Sequence, residues 1–363
     1  MELILSLCLL VVAFVLLMRL MKPAIRRNWL WLLLCTGACV SVEYLLLILL
    51  PYFRLSFGAT GLPMFLFSSG HLLVLAAELF LINLFRWRSK TALALTIGLQ
   101  LSLVLLAADG LYFEPFHLTI TRQHVVAPQF IPGRDLRILQ ISDLHVERIT
   151  QREKAVLEMA RSLHPDLIVL TGDYVNLDYL NDETALAETR DVISQLEAPY
   201  GVYAIIGSVD SPRVMKTVFT GLENIHILRN EIRTIDFPGG KLAVLGVTLD
   251  HGIEQQVLQT LAGQVPTDAY SLLLYHTPDL IESASAAQIN LYMAGHTHGG
   301  QVRLPFYGAI FTSSRYGKQY EMGAYTVGET FLYVSRGLGM EGYGMPRLRF
   351  LCPPELVLFE LGK

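Results

Sequence analysis

Four long apolar runs in the first third of the chain constrain its fold more than any other feature. They cover about residues 3–21, 29–53, 60–85 and 91–113 of 363. Each is long enough to supply the about 20 helical residues that cross a hydrocarbon core. The chain is 52% hydrophobic with a mean hydropathy of +0.43, too apolar for an ordinary soluble protein. The excess lies in that first third, and the remainder reads as a normal globular domain. The first run has Glu2 in front and its positive charges behind. That is the reverse of a cleaved signal peptide, so the expectation is a retained span and a four-helix transmembrane region over residues 1–113.

Orientation follows from Lys and Arg in the short loops. Arg19, Lys22, Arg26 and Arg27 flank the first loop, Arg54 stands alone in the second, and Arg86, Arg88 and Lys90 occupy the third. Loops one and three are expected on the cytoplasmic side, and everything after the fourth span on the far side. Trp29, Trp31 and Trp87 sit at the cytoplasmic ends of their spans, where indole rings favour the interface. Glu43, His71, Glu78 and Asp109 fall inside the apolar runs. Ionisable groups there are expensive and are functional candidates by default; interhelical hydrogen bonding is the simpler role.

A net charge of −4 and the lack of a basic stripe with interleaved aromatics point away from a nucleic-acid partner. Cys8, Cys35 and Cys39 lie in the apolar third and Cys352 stands alone, so there is neither a disulfide framework nor a Cys-x-x-Cys metal knuckle. Residues 114–135 read as a connector holding a short strand, 118–121, and broken by Pro128, Pro132 and Gly133. Residues 136–363 form the second domain. Its first half alternates short apolar strands (136–141, 167–170, 202–206, 225–228) with amphipathic helices (153–163, 183–196, 214–221), the pattern of a layered α/β fold. Its second half is richer in strands: 231–236, 241–247, 271–275, 289–293, 302–304 and 331–335.

The chemistry gathers at the ends of these strands. Gly295-His296-Thr297-His298-Gly299-Gly300 follows the run 289–293. On an extended chain, residues two apart point the same way, so both rings are expected to reach one small volume. Flanking glycines let the backbone approach an ion or a phosphate. Asp143 and His145 follow the strand 136–141, Asp173 follows 167–170, and His276 follows 271–275. Carboxyl ends of strands are where α/β sheets place their sites. Two carboxylates and four imidazoles without a thiolate suit Mn, Fe, Zn or similar divalent ions. Six side chains exceed what one four-coordinate ion needs, so two ions sharing Asp173 is the economical arrangement. Two such ions about 3.5–4 Å apart activate water and clamp a phosphoryl group.

At these residues the sequence resembles the calcineurin-like metallophosphoesterases, specifically their membrane-anchored bacterial branch. The motifs are Ile141-Ser142-Asp143-Leu144-His145, Leu170-Thr171-Gly172-Asp173, Tyr275-His276-Thr277-Pro278-Asp279 and Gly295-His296-Thr297-His298-Gly299-Gly300-Gln301. Ser335-Arg336-Gly337-Leu338-Gly339 and Pro353-Pro354-Glu355 extend the likeness, which spans about 136–361. The resemblance implies a four-layer αββα sandwich, one metal held by Asp143, His145, Asp173 and His298, and a second held by Asp173, His276 and His296. The ions would be Mn, Fe, Zn or Mg. One motif departs from the family pattern. Where Gly-Asn-His-Asp or Gly-Asn-His-Glu is usual, this chain has Gly207-Ser208-Val209-Asp210. Ser208 offers a hydroxyl for an amide oxygen, and Val209 cannot replace a proton-transferring histidine; His251 is a candidate substitute.

Three functions follow as expectations. The first is a multi-pass membrane phosphoesterase with an extracytoplasmic catalytic domain, acting on a phosphoester or diphosphate that is lipid-linked. The second, motivated by Ser208 and Val209, is a metal-binding sensor or scaffold with weak catalysis. The third, motivated by Glu43, His71 and Glu78, is a transporter or receptor. Gly337-Leu338-Gly339-Met340-Glu341-Gly342 fits G-x-G-x-x-G, but Tyr343, Gly344 and Pro346 follow where a dinucleotide site needs a helix; a loop lining the metal site is expected. Arg303 and Arg336 are candidate phosphate contacts or, equally, members of surface ion pairs.

Overall fold

The computed structural model describes residue 12 and residues 29–85, 89–133, 135–249, 252–341 and 347–363. The first expected span (3–21), the loop-one cations, Arg86, Trp87, Arg88 and His251 lie outside the described residues. Two compact units are present, divided at Phe113 and Glu114; Arg347 belongs to the first unit, and 114–341 with 348–363 make the second.

The first unit is built from α1 (Trp29–Tyr52), α2 (Gly61–Phe85) and α3 (Ser89–Ala108). Among the described residues, these three helices are long and apolar enough to cross a membrane, where four were expected. Their packing is inverted relative to a water-soluble bundle. Leu45, Leu73, Phe80, Leu84 and Leu105 are exposed, while Glu43, His71, Glu78 and Gln100 are buried. His71 stands between the other two helices. Its Nε2 is 3.1 Å from Glu43 Oε1, its Nδ1 pairs with Gln100 Oε1, and Gln100 Nε2 donates to the His71 carbonyl at 3.2 Å. Polar groups that lack water must find one another, and these three do.

The second unit contains two six-stranded sheets. The first has the order β1-β14-β2-β3-β4-β5, from β1 (Thr119–Val126), β2 (Leu136–Ile141), β3 (Leu167–Leu170), β4 (Val202–Ala204), β5 (Ile225–Ile227) and β14 (Glu355–Gly362). The second has the order β12-β13-β9-β8-β7-β6, from β6 (Glu231–Phe237), β7 (Gly240–Gly246), β8 (Ala269–Leu274), β9 (Leu291–Ala294), β12 (Gly323–Val327) and β13 (Thr330–Val334). Period-two alternation assigns the layers. Leu136, Ile138, Leu167 and Val169 meet Leu272, Leu274, Leu291 and Met293 in a core between the sheets. Leu139, Ile141, Ile168 and Leu170 face the other way, onto α4 (Gln151–Ser162), α5 (Glu183–Ser194) and α6 (Pro212–Phe219). Leu273, Tyr292 and Ala294 pack on α7 (Glu254–Ala262) and α8 (Ile281–Ala286). The result is the expected four-layer αββα sandwich.

The helices start where local chemistry dictates. Thr150 caps α4 in a reciprocal box with Glu153, Asp182 caps α5, and Ser211 precedes Pro212 at the first turn of α6. Three strands lay outside the sequence expectation: the two-residue β11 (Gly308–Ala309), β12 and β14. β14 is the most consequential: it pairs with β1 in parallel from Thr119↔Glu355 to Val126↔Gly362 and with β2 in antiparallel. Part of the stretch read as a connector is therefore an edge strand, eight residues long and not four.

Candidate metal centre

All six candidate ligands stand at carboxyl ends of strands: Asp143 and His145 after β2, Asp173 after β3, His276 after β8, His296 and His298 after β9. The first three come from one sheet and the last three from the other. Gln140, a polar residue facing the inter-sheet core, ties the two sheets here. Its Nε2 donates to Thr171 Oγ1 at 3.1 Å and to the Ala294 carbonyl at 2.9 Å. The His296 N–H donates to Asp143 Oδ1 at 3.0 Å.

Ligand-capable atoms fall into two groups, Asp143 with His145 and His298, and Asp173 with His276 and His296; within each, the atoms lie within 4.8 Å of one another. Asp173 stands between them, its Oδ2 3.0 Å from His276 Nε2 and 3.7 Å from His145 Nε2. The two histidines of the His-x-His pair fall in different, adjoining groups. His296 serves one group and His298 the other, because the backbone here is a tight turn with φ of +70° and +51° at the two residues.

Strain is concentrated on the candidate ligands. Asp143, His145, Asp173, His296 and His298 all have φ between +42° and +70°. Non-glycine residues held in this region cost about 1–3 kcal/mol each and persist only where their surroundings over-determine them. Those surroundings are visible. Asp210 Oδ2 accepts from the N–H groups of Asp173 and Gly207, each at 2.8 Å, and Oδ1 accepts from Tyr174 N at 3.0 Å. Arg349, fully buried, donates to the carbonyls of Arg336, Gly337, Gly339 and Cys352. The loop it holds returns N–H groups to the Asp143 carbonyl from Leu338 and Gly339. A Cβ on Gly337 would lie 2.6 Å from that of Asp143, so the G-x-G pair serves close approach to a ligand loop, as expected, and no described helix follows it.

The donor set fits cations. His276 Nδ1 donates to the Thr171 carbonyl at 2.7 Å, which leaves Nε2 to present its lone pair toward the Asp173 carboxylate. Such a pair needs a positive charge between its members. Burial opposes protonation of His276, yet the Asp173 charge outweighs it and lifts the imidazole to about 10. The same attraction overrides burial and holds Asp173 below the usual carboxylate range. Burial and the neighbouring His276 push His296 down to about 4, and burial with His145 pushes His298 down as well. Ring nitrogens face each other at 3.1 Å in both groups, His145 with His298 and His276 with His296. Neutral nitrogen lone pairs and carboxylates converging in a buried space can be satisfied by divalent ions.

At the departing motif, Ser208 Oγ donates to Asp173 Oδ2 at 2.9 Å and Val209 N donates to Oδ1 at 2.9 Å. The loop therefore orients Asp173 through a hydroxyl and a backbone N–H, and Val209 contributes no titratable group. Asp210 itself is raised to about 6 by burial and by Asp173. Arg303 and Arg336 prove to be committed to ion pairs, with Glu321 at 2.7 Å and Glu355 at 2.8 Å. Glu341, which the sequence did not single out as an acid, places a carboxylate oxygen 3.9 Å from His145 Nε2 and 4.0 Å from His298 Nε2. Neither Glu341 nor Arg349 carries a local signal; each reaches the site across long sequence separations.

The calcineurin-like phosphoesterase family model matches residues 136–300. An uncharacterized metallophosphoesterase of Bacillus subtilis strain 168, YkuE, is 34% identical over 258 residues, covering 69% of this chain and 87% of that one. Phosphodiesterase YaeI of Escherichia coli K12 is 31% identical over 238 residues, covering 62% and 82%. UDP-2,3-diacylglucosamine pyrophosphatase LpxG of Chlamydia trachomatis serovar D is 27% identical over 328 residues, covering 73% and 98%. On the family match and on the identity and coverage of these relatives, the chain belongs to the calcineurin-like phosphoesterases and is a hydrolase of phosphoric esters.

Proposed function

We propose that the chain is a membrane-anchored, dinuclear metal-dependent phosphoesterase whose substrate is a lipid-linked phosphoester, with a diphosphate as the favoured bond. Asp143, His145 and His298 would hold one ion and His276 and His296 the other, with Asp173 placed to serve both. The convergence of these six side chains in two adjoining groups carries the reading. Divalent cations in such a pair supply Lewis acidity toward phosphoryl oxygens and lower the pKa of water.

This chain's own residues do the positioning. Asp210 and Arg349 fix the strained ligand loops. Ser208 and the Val209 N–H aim both oxygens of Asp173. No proton donor stands at position 209, and a general acid typically contributes about 10²–10⁴-fold. Leaving groups that depart without protonation are therefore favoured, and a phosphate leaving from a diphosphate is one. The pyrophosphatase named among the relatives and the three apolar helices support the same substrate class and its lipid attachment.

The test is hydrolysis of a chromogenic phosphodiester and of lipid diphosphates by the full chain in detergent, with Mn, Zn, Fe or Mg. Turnover above background, lost in an Asp173→Ala, His296→Ala double variant, is the expected result. Equal rates for parent and double variant overturn the reading. A second reading, a metal-binding scaffold without turnover, is favoured by Ser208 and Val209 alone; it predicts bound metal and no hydrolysis of any of these esters.

A further inference from the structure

Immediately after the ligand turn, β10 (Arg303–Leu304) and β11 (Gly308–Ala309) form a short hairpin. Leu304, Phe306, Tyr307, Ile310 and Phe311 are exposed along it. Among the described residues of the second unit, these are five of the ten exposed large apolar side chains, gathered within eight positions while the others are scattered. Scattered apolar residues need no explanation, but a contiguous patch marks an interaction site. Phe306 makes the point sharply. It is fully exposed and holds φ at +64°, a conformation unusual for a bulky residue, with no burial in return.

The base of the hairpin is rigid. Glu321 accepts from Arg303 Nη2 at 2.7 Å and from Ala309 N at 3.1 Å, clamping both strands. Arg303 Nη1 donates to the Gly299 carbonyl at 2.8 Å, anchoring the hairpin to the turn that carries His296 and His298. Its charge is one-sided. Arg303 is neutralised by Glu321, no Asp or Glu occurs from residue 302 to 320, and Arg315 and Lys318 are the other cations of that stretch; the Lys318 ammonium sits 3.4 Å from the Tyr307 ring centroid. Aromatic rings, aliphatic side chains and flanking cations are the composition that seats in the headgroup–acyl boundary of an anionic membrane. A bilayer is also the partner most available to it, because tethering through apolar helices raises the effective concentration of membrane around the rest of the chain.

We propose that the 304–311 hairpin docks into the interfacial region of an anionic phospholipid bilayer. Docked there, it presents the adjoining ligand turn to phosphate groups at the membrane surface. The docking itself requires no turnover; only its consequence for substrate access rests on the proposed function.

The test uses the full chain in nanodiscs of phosphatidylcholine and phosphatidylglycerol. Phe306→Trp and, separately, Phe311→Trp add one indole each at exposed positions that the fold does not pack. A control, Glu223→Trp, lies at an exposed turn at the amino end of β5. Expected is a blue shift and lipid-borne bromine quenching of the added emission at 306 and 311, with neither effect at 223, and loss of both effects when phosphatidylglycerol is omitted at high salt. Quenching of all three positions by aqueous iodide alone overturns the proposal. So does lipid-independent shielding that grows with protein concentration, which would indicate a second copy of the chain as the partner. Unchanged melting temperatures exclude misfolding as the source of either result. In a second arm, Phe306→Asp with Phe311→Asp raises KM for a phosphodiester presented in vesicles and leaves that for a water-soluble one unchanged. An inactive parent would remove this arm and leave the quenching result standing.

Discussion

Asp173 is held from three sides, and each contact has a distinct consequence. Its N–H donates to Asp210, its Oδ1 accepts from Val209 N, and its Oδ2 accepts from Ser208 Oγ and faces His276 Nε2 at 3.0 Å. Replacing Asp210 with Ala strips three buried N–H groups of their acceptor. The expected cost is about 2–5 kcal/mol, read as a lowered melting temperature of the full chain, with Asp210→Asn recovering part of it. The leaving-group argument is testable at the neighbouring positions. Ser208→Asn with Val209→His introduces a titratable group where none stands. Rates on alkyl phosphodiesters should rise by about 10–100-fold, toward the lower range of general acid catalysis. Rates on nitrophenyl esters or diphosphates should change little. Equal gains on both would show that the missing proton donor does not select the substrate.

At the level of elements, the centre depends on loops approaching more closely than side chains allow. A Cβ on Gly295 would lie 2.0 Å from Ser142 Oγ and 2.3 Å from Asp143 Oδ2. One on Gly207 would meet Asp173 N and Oδ1, each at 2.3 Å. Gly295 and Asp143 belong to loops after β9 and β2, in different sheets, so Gly295→Ala drives the sheets apart at one end. If the proposed two-ion arrangement holds, the expected result is loss of the ion assigned to the Asp143 group, read as a lowered metal-to-protein ratio by elemental analysis of the purified chain. The Gly207 equivalent displaces the shared carboxylate and should remove both. β14 shows how an element can matter without carrying a ligand. It joins β1 to β2, and Glu355 at its start accepts from Arg336 N at 2.8 Å, from Tyr333 OH at 3.2 Å and from Thr121 Oγ1 at 2.6 Å.

For the molecule as a whole, the positive charges flanking the apolar helices set the side of the membrane on which the sandwich is expected. Arg26, Arg27 and the third-loop cations bias the flanks of α1–α3 toward an extracytoplasmic C-terminus, a bias that does not depend on the first apolar run. A reporter fused after Lys363 that is active only outside the cytoplasm should report activity. A fusion active only inside would reverse the topology and with it the leaflet on which the substrate lies. The buried Glu43–His71–Gln100 cluster belongs at this scale too. Its groups approach one another across three helices, as interhelical bonding requires. Glu78, buried on α2 outside this cluster, has no part in the proposed metal centre, so Glu78→Gln should leave phosphodiester hydrolysis unchanged.

Much of this was legible along the chain. The alternation of Leu136–Ile141 and Leu167–Leu170 specifies two buried faces because side chains on a strand point to opposite sides with period two. The order of Asp143, His145, Asp173, His276, His296 and His298 at strand ends marks a candidate metal centre because those residue types share one coordination chemistry. Other features arise from distance in sequence. Whether His296 and His298 serve one group or two depends on turn dihedrals that packing imposes. Arg349 becomes part of the site's support only once residues 336–352 fold back on the Asp143 loop, and β14 becomes a strand only when β1 and β2 are there to pair with it. Local pattern selects the layers and the chemistry; long-range contacts, which alone can hold five ligands in a strained backbone conformation, set the geometry in which that chemistry operates.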